Sequence, residues 1–183
     1  MRIVVASDIH GIHDPLRVQL AILGEPIIIS PWSGEGCPYA TEQAAVSEFH
    51  RQDGLSSYEQ KIAEAVNGEA ALLIGFSVGA TSLWRYVSGA QCNSNSRAFL
   101  YYGSRIRDYL ELTPRCPTSV LFAEHESSFH PESVAISVRK SGALCSVISG
   151  THHGFMSPLS SHYRPDIAQE HLSMFLRQLG VRM

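Results

Sequence analysis

Gly75-Phe76-Ser77-Val78-Gly79 follows the apolar run Ala70-Ala71-Leu72-Leu73-Ile74 and precedes a helical pattern from Ala80 to Val87. Strand, sharp turn and helix in that order place a serine at an apex with glycine on either side. In so tight a turn, side chains at the flanking positions would clash with the strand and the helix. The strained apex lifts the hydroxyl clear of the sheet. The helix starting beneath it aims backbone N–H groups, and the positive end of its dipole, at the same spot. Ser77 is therefore the candidate nucleophile, and Phe76 beside it is a candidate lining residue.

Outward from this turn, short apolar runs alternate with helical patterns. The strand candidates are Arg2–Ser7, Pro26–Ser30, Ala70–Gly75, Arg97–Tyr102, Thr118–Ala123 and Ala143–Ser149. Ile27-Ile28-Ile29 and Leu72-Leu73-Ile74 lack alternation, as strands covered on both faces require. Asp14 before Pro15 is predicted to cap a first helix ending at Gly24. Ser57 and Gln60 suggest a capping box for a helix with an Ile62, Ala65, Val66 stripe, stopped by Asn67-Gly68. The last helix is predicted from near Pro165 to a stop at Gly180, packing Ile167, His171, Leu172, Phe175, Leu176 and Leu179. Pro31–Pro38 reads as a loop. The spacing predicts an α/β fold over residues 1–183: one domain, about six mostly parallel strands, helices on both faces.

Composition narrows the function classes. The net charge is −3, charged residues make up 17% and no like-charged block occurs, so nucleic acid and anionic membranes are not expected partners. The four cysteines, Cys37, Cys92, Cys116 and Cys145, form no C-x-x-C pair, which disfavours a zinc site or a disulfide framework. No metal or cofactor is expected. A basic start leading into a long apolar region is missing, and no run approaches a membrane span, so a cytoplasmic location is expected. Oligomeric state leaves no signature.

A serine hydroxyl attacks poorly unless a base takes its proton and a third group orients that base. In an elbow-bearing fold the partners follow in the order serine, acid, histidine. After Thr118–Ala123 comes Glu124-His125-Glu126, and after Ala143–Ser149 comes Gly150-Thr151-His152-His153-Gly154-Phe155. Residues just beyond the carboxyl ends of parallel strands converge on one crevice. Glu124 or Glu126 is the candidate acid, and His152 or His153 the candidate base. His50, His125, His130, His162 and His171 read as ordinary surface or helix residues. Trp32, Tyr39, Phe155 and Met156 are candidates either to line an acyl pocket or simply to pack.

Four segments taken together, Ser7-Asp8-Ile9-His10-Gly11, Gly75-Phe76-Ser77-Val78-Gly79, Leu100-Tyr101-Tyr102-Gly103 and His153-Gly154-Phe155, resemble the dienelactone hydrolase branch of the α/β hydrolases. The resemblance runs from about Ile3 to Leu179 and implies a sheet starting at that family's first parallel strand. It further implies Ser77 as nucleophile, Glu126 as orienting acid and His153 as general base. The backbone N–H groups of Ile9 and Val78 would form the oxyanion hole. Asp8 matches a position where the family often carries glutamate beside the resting nucleophile, and His10 follows it. The implied substrate is a small ester, thioester or lactone. The chain departs from the pattern in having serine where the name-giving enzymes have cysteine, and glutamate where the acid is usually aspartate. The arginine that gathers the dienelactone carboxylate has no match in Met156–Leu159, so a dienelactone substrate does not follow.

Asp8-Ile9-His10 also matches the first motif of the binuclear metallophosphoesterases, whose remaining ligands come from G-D-x-x-D, G-N-H-[DE] and G-H-x-H patterns. None of these occurs here. A non-catalytic binding module on the same fold is the other alternative.

Overall fold

The computed structural model describes residues 1–178. The predicted contact of Leu179 and the helix stop at Gly180 lie outside them. A 6-stranded sheet runs in the order β2-β1-β3-β4-β5-β6, and every neighbouring pair is parallel. The strands are β1 (Arg2–Ala6), β2 (Ile27–Ile29), β3 (Ala71–Phe76), β4 (Arg97–Tyr101), β5 (Thr118–His125) and β6 (Leu144–His152). Between and after them lie α1 (Asp14–Leu20), α2 (Glu42–Arg51), α3 (Gly54–Val66), α4 (Val78–Ser88), α5 (Pro131–Lys140) and α6 (Pro165–Gln178).

Alternate side chains along each strand feed a different core on each face, the consequence of the two-residue pleat. Val4, Leu73, Leu100, Val120 and Phe122 join Phe49, Tyr58, Ile62, Leu83 and Trp84 on the side of α2 to α5. Val5, Leu72, Ile74, Phe99 and Leu121 meet Leu16, Leu20, Leu172 and Phe175 from α1 and α6 on the other. The central strand β3 is buried along its whole length, which is why its sequence is continuously apolar. The apolar Ile27–Ile29 run behaves differently. It is an edge strand, and Ile27 is 40% exposed.

Two predicted caps are corrected. The first helix is capped by His13, whose Nδ1 accepts the Leu16 N–H at 3.2 Å, and Asp14 is already its first residue. Gly24 does close the following 3-10 turn, at φ 85°. The third helix starts at Gly54 rather than beside Ser57, because the chain leaves α2 through Asp53 in the left-handed region at φ 51°. Ser57 is inside the helix, its N–H bonded to the Asp53 carbonyl at 3.2 Å. Asn67 ends that helix as expected, also at φ 51°. Helix α2 itself had no counterpart in the sequence reading.

Candidate active site

The elbow geometry follows from backbone crowding. A Cβ on Gly79 would run into the Ala6 and Ser7 carbonyls of β1 and its following loop, and one on Gly75 would lie 2.8 Å from the Ala80 Cα. Only glycine lets α4 start this close to the sheet. Ser77 takes the strain, with φ 53° and ψ −115°, and its N–H is held by the Tyr101 carbonyl at 3.0 Å.

The other functional groups leave the carboxyl ends of neighbouring strands. Ile9 follows β1, Ser104 follows β4, Glu126 follows β5 and His153 follows β6. Ser77 Oγ lies 3.1 Å from His153 Nε2. His153 Nδ1 lies 3.1 and 3.0 Å from the two Glu126 oxygens. A carboxylate only accepts, so the ring proton sits on Nδ1 and Nε2 is left to accept the serine hydroxyl. The Glu126 side chain is 2% exposed and that of His153 37%, so the acid is shielded while the base faces the cleft. Burying a carboxylate requires compensating donors. His153 is one, and Ser104 Oγ, 3.3 Å from Glu126 Oε2, is the other. The same hydroxyl is 3.3 Å from His153 Nδ1.

Glu124 is placed elsewhere. A register irregularity between Ala123 and His125 turns it toward β6, where it accepts the Gly150 N–H at 2.7 Å. That hydrogen bond, first among the causes, lowers its pKa. His152 is exposed and stacks against His162 with ring centroids 4.4 Å apart.

Ser77, His153, Ile9 and Val78 share the wall of a cleft of about 310 Å³, at the small end of ligand sites, which run from ~300 Å³. Neither the Ile9 nor the Val78 N–H has an acceptor among the described residues. A wider groove of about 710 Å³ has Glu126 and His153 in its wall but not Ser77, so of these two it is the smaller cleft that borders Ser77. Val46 and Leu55 give the small cleft an apolar side and Arg105 and Arg107 a basic one, while His50 in the same wall has its pKa lowered, chiefly by burial.

The remaining sequence candidates divide. Asp8 and His10 face a smaller cavity beside Ser77. Asp8 Oδ1 accepts the His10 N–H at 2.9 Å, and His10 Nε2 sits 3.4 Å from a Glu42 oxygen. That contact, above other causes, raises the His10 pKa and lowers that of Glu42. Trp32 does not line the cleft. It packs on Tyr39 and Phe49, and its Nε1 donates to the Ile9 carbonyl at 2.8 Å. Phe76, Phe155 and Met156 are buried in the α1–α6 core, where both phenyl rings pack against Tyr101 and Tyr102. Among the described residues, no group of three or more His, Cys, Asp or Glu side chains is arranged to hold a metal.

Sequence reading missed Ser104, Glu42, His50, Arg105 and Arg107. The cap Thr41 and the spacing of Ala45 and Phe49 were the available signal for α2, which carries Glu42 and His50. Ser104 had none, since a lone serine after a strand is commonplace.

No family model matches the chain. The uncharacterized protein YczH of Bacillus subtilis (strain 168) is 30% identical over 151 residues, spanning 75% of this chain and 69% of that protein. Among solved structures, a Klebsiella pneumoniae protein assigned as a dienelactone hydrolase superposes with a TM-score of 0.70 at 18% identity, covering 96% of this chain and 84% of its own. A dienelactone hydrolase-like promiscuous phosphotriesterase from metagenomic libraries gives 0.61 at 17%, covering 97% and 84%. An esterase of Thermogutta terrifontis, solved with butyrate bound, gives 0.55 at 14%, covering 98% and 84%. The sheet and its helices are thus those of an α/β hydrolase, and the likeness to the dienelactone hydrolase branch holds at the level of fold.

Proposed function

This chain belongs to the family of Bacillus subtilis YczH, and from that premise and the α/β-hydrolase fold we propose that it is a serine hydrolase acting on a small ester, thioester or lactone. The observation that supports this reading is the hydrogen-bonded series from Ser77 Oγ to His153 Nε2, and from His153 Nδ1 to Glu126.

In this mechanism Ser77 Oγ attacks the acyl carbon while His153 Nε2 takes its proton. Glu126 keeps the Nδ1 proton in place and stabilises the imidazolium that forms. The carbonyl oxygen becomes an oxyanion, which the Ile9 and Val78 N–H groups bind. His153 then delivers its proton to the leaving alcohol or thiol, and an acyl-enzyme on Ser77 remains. Water repeats the sequence and releases the acid. The apolar wall at Val46 and Leu55 suits an acyl chain of few carbons, given the size of the cleft.

The test is covalent labelling by a fluorophosphonate, mapped by peptide mass spectrometry. Adduct on Ser77, lost in Ser77→Ala together with ester hydrolysis, is the expected result. Undiminished hydrolysis by purified Ser77→Ala refutes the reading.

A further inference from the structure

At the end of the sheet opposite Ser77, two cysteines from different segments meet. Helix α4 carries the chain away from the elbow over roughly 16 Å, at 1.5 Å per residue. Cys92 sits in the turn beyond it, its N–H bonded to the Gly89 carbonyl at 3.2 Å. The chain returns to the same place just before β5. The Arg115 N–H donates to the Val87 carbonyl at 2.8 Å and its Nε to the Ser88 carbonyl at 3.4 Å, which seats Cys116 against the end of α4. Cys116 is 6% exposed in the core on the α2–α5 side, and half-buried Cys92 packs against that core. Both are free thiols, and their side chains lie within hydrogen-bonding reach of each other. Burial first, and then the nearness of both sulfurs, pushes the Tyr86 phenol up to about 12.

The thiolate, not the thiol, is the sulfur nucleophile. The Cys92 thiol has two acceptors in reach, the Asn93 carbonyl at 3.6 Å and the Cys116 sulfur. Donation to the sulfur, the leading cause, holds Cys116 below the ordinary thiol value and pushes Cys92 up. Thr118 Oγ1, 3.8 Å from Cys116 Sγ, acts on Cys116 in the same direction. The two sulfurs are therefore unequal: Cys116 is poised to lose its proton, and Cys92 keeps its own. Elsewhere, burial pushes the Cys145 thiol up to about 12, and Cys37 Sγ donates to the Tyr39 carbonyl at 3.8 Å.

We propose that Cys92 and Cys116 are a peroxide-oxidisable pair that closes to a disulfide, with Cys116 as the attacking sulfur and Cys92 as the one that resolves it. First the Cys116 thiolate takes one oxygen of hydrogen peroxide. The S–O bond forms as the O–O bond breaks, and the departing hydroxide picks up a proton to become water. Cys116 is oxidised to a sulfenic acid and the peroxide is reduced. The Cys92 sulfur, giving up its proton, then bonds to Cys116 Sγ, and the sulfenic oxygen leaves as water. Two thiols and one peroxide thus give one disulfide and two waters. The loop so closed contains β4 and Ser104. Joining positions this far apart removes conformations from the unfolded chain and stabilises the fold. The staple lies at the amino ends of the strands, away from the cleft, and the proposal does not depend on the hydrolase reading.

The experiment treats the whole chain with a modest excess of hydrogen peroxide, alkylates what remains and digests with trypsin. Cleavage after Arg85, Arg97, Arg115 and Arg139 leaves the two cysteines on separate peptides. The expected product is residues 86–97 joined to residues 116–139, parted again by reductant. In Cys92→Ser, oxidation should stop at the sulfenic acid, and dimedone should label Cys116. In Cys116→Ser, dimedone should leave Cys92 unlabelled. The oxidised parent is expected to melt about 5 °C or more above the reduced parent, and neither variant should show that gap. Peptides left unjoined by peroxide, or joined through Cys37 or Cys145 instead, overturn the proposal. Dimedone on Cys92 in Cys116→Ser overturns the assignment of roles, and equal melting of the oxidised and reduced parent overturns the staple. The parent alone carries the cross-link map and the melting comparison, so neither depends on a variant that folds.

Discussion

Trp32 donates its indole N–H to the carbonyl of Ile9 at 2.8 Å, joining the segment after β2 to the segment after β1 across 23 positions of sequence. The bond fixes the plane of the peptide on the far side of Ile9, and so the direction in which that residue meets the cleft. Trp32→Phe keeps the packing on Tyr39 and Phe49 but frees the carbonyl. It is expected to lower kcat by about tenfold, less than the loss of an oxyanion donor outright. KM should change little, and fluorophosphonate labelling of Ser77 should persist. Unaltered kcat would show that Ile9 needs no such support.

Glu126 and Glu124 make opposite contacts, and substitution separates them. Glu126→Gln preserves shape but removes the charge behind His153 and admits the wrong tautomer, so kcat is expected to fall by about 10³- to 10⁴-fold. Glu124→Gln disturbs only the exposed bond to Gly150 and should cost less than about threefold. Steady-state ester hydrolysis by both variants is the check, and a reversed order would reassign the acid.

Gly79→Ala is expected to damage the fold, because the new methyl would meet backbone carbonyls of Ala6 and Ser7, which cannot move aside as a flexible side chain would. Overpacking of this kind costs about 1–3 kcal/mol or more, a Tm loss of at least about 3 °C in a chain of this size. Gly34→Ala is the control. Nothing lies within 4 Å of its Cβ position, and its Tm should stay near the parental value. Equal melting of the two variants would contradict the crowding argument.

His171 sets an acid limit on stability. Burial, its leading cause, lowers the pKa, and the Tyr101 hydroxyl lies 2.9 Å from its Nδ1. Burial also raises the Tyr101 pKa, so the phenol is the donor and the imidazole must be neutral to accept. With the folded pKa below the unfolded value, the unfolded chain binds the proton more readily. The contribution is complete above about pH 6.5 and is lost as pH falls through the lower, folded value. His171→Gln retains an acceptor without titrating. Its Tm should therefore fall less steeply than that of the parent between about pH 7 and 5, measured by scanning calorimetry. Parallel slopes would remove His171 from the account.

The sheet is legible in the sequence because both its faces are covered, and burial on two sides demands apolar runs that polar or edge strands do not need. The elbow is legible for a related reason: Gly75 and Gly79 answer backbone contacts, which only one residue type permits. Helix ends read less well. His13 caps α1 through a ring nitrogen, and Asp53 opens α3 from the left-handed region without a side-chain cap bond, so neither start shows the usual Ser/Thr/Asp capping geometry. Partner choice is harder still. Glu124 and Glu126 are two residues apart, and what separates them is a register irregularity in β5 that the chain does not announce. Ser104 is invisible for the same reason, since its contacts with Glu126 and His153 are made to elements far away in sequence.

The placement of the site across the sheet bears on its motions. Ser77 rises from β3, flanked on both sides by hydrogen-bonded strands, whereas His153 follows β6, the outermost strand, whose Leu144 is 73% exposed. Peripheral strands open locally at lower free energy than central ones. Amide exchange should accordingly be fast through β6 and slow through β3, so that the base can swing out of register while the nucleophile stays put. Catalytic competence would then be lost, on warming or in mild denaturant, before any spectroscopic sign of unfolding, and recovered when the rim closes again.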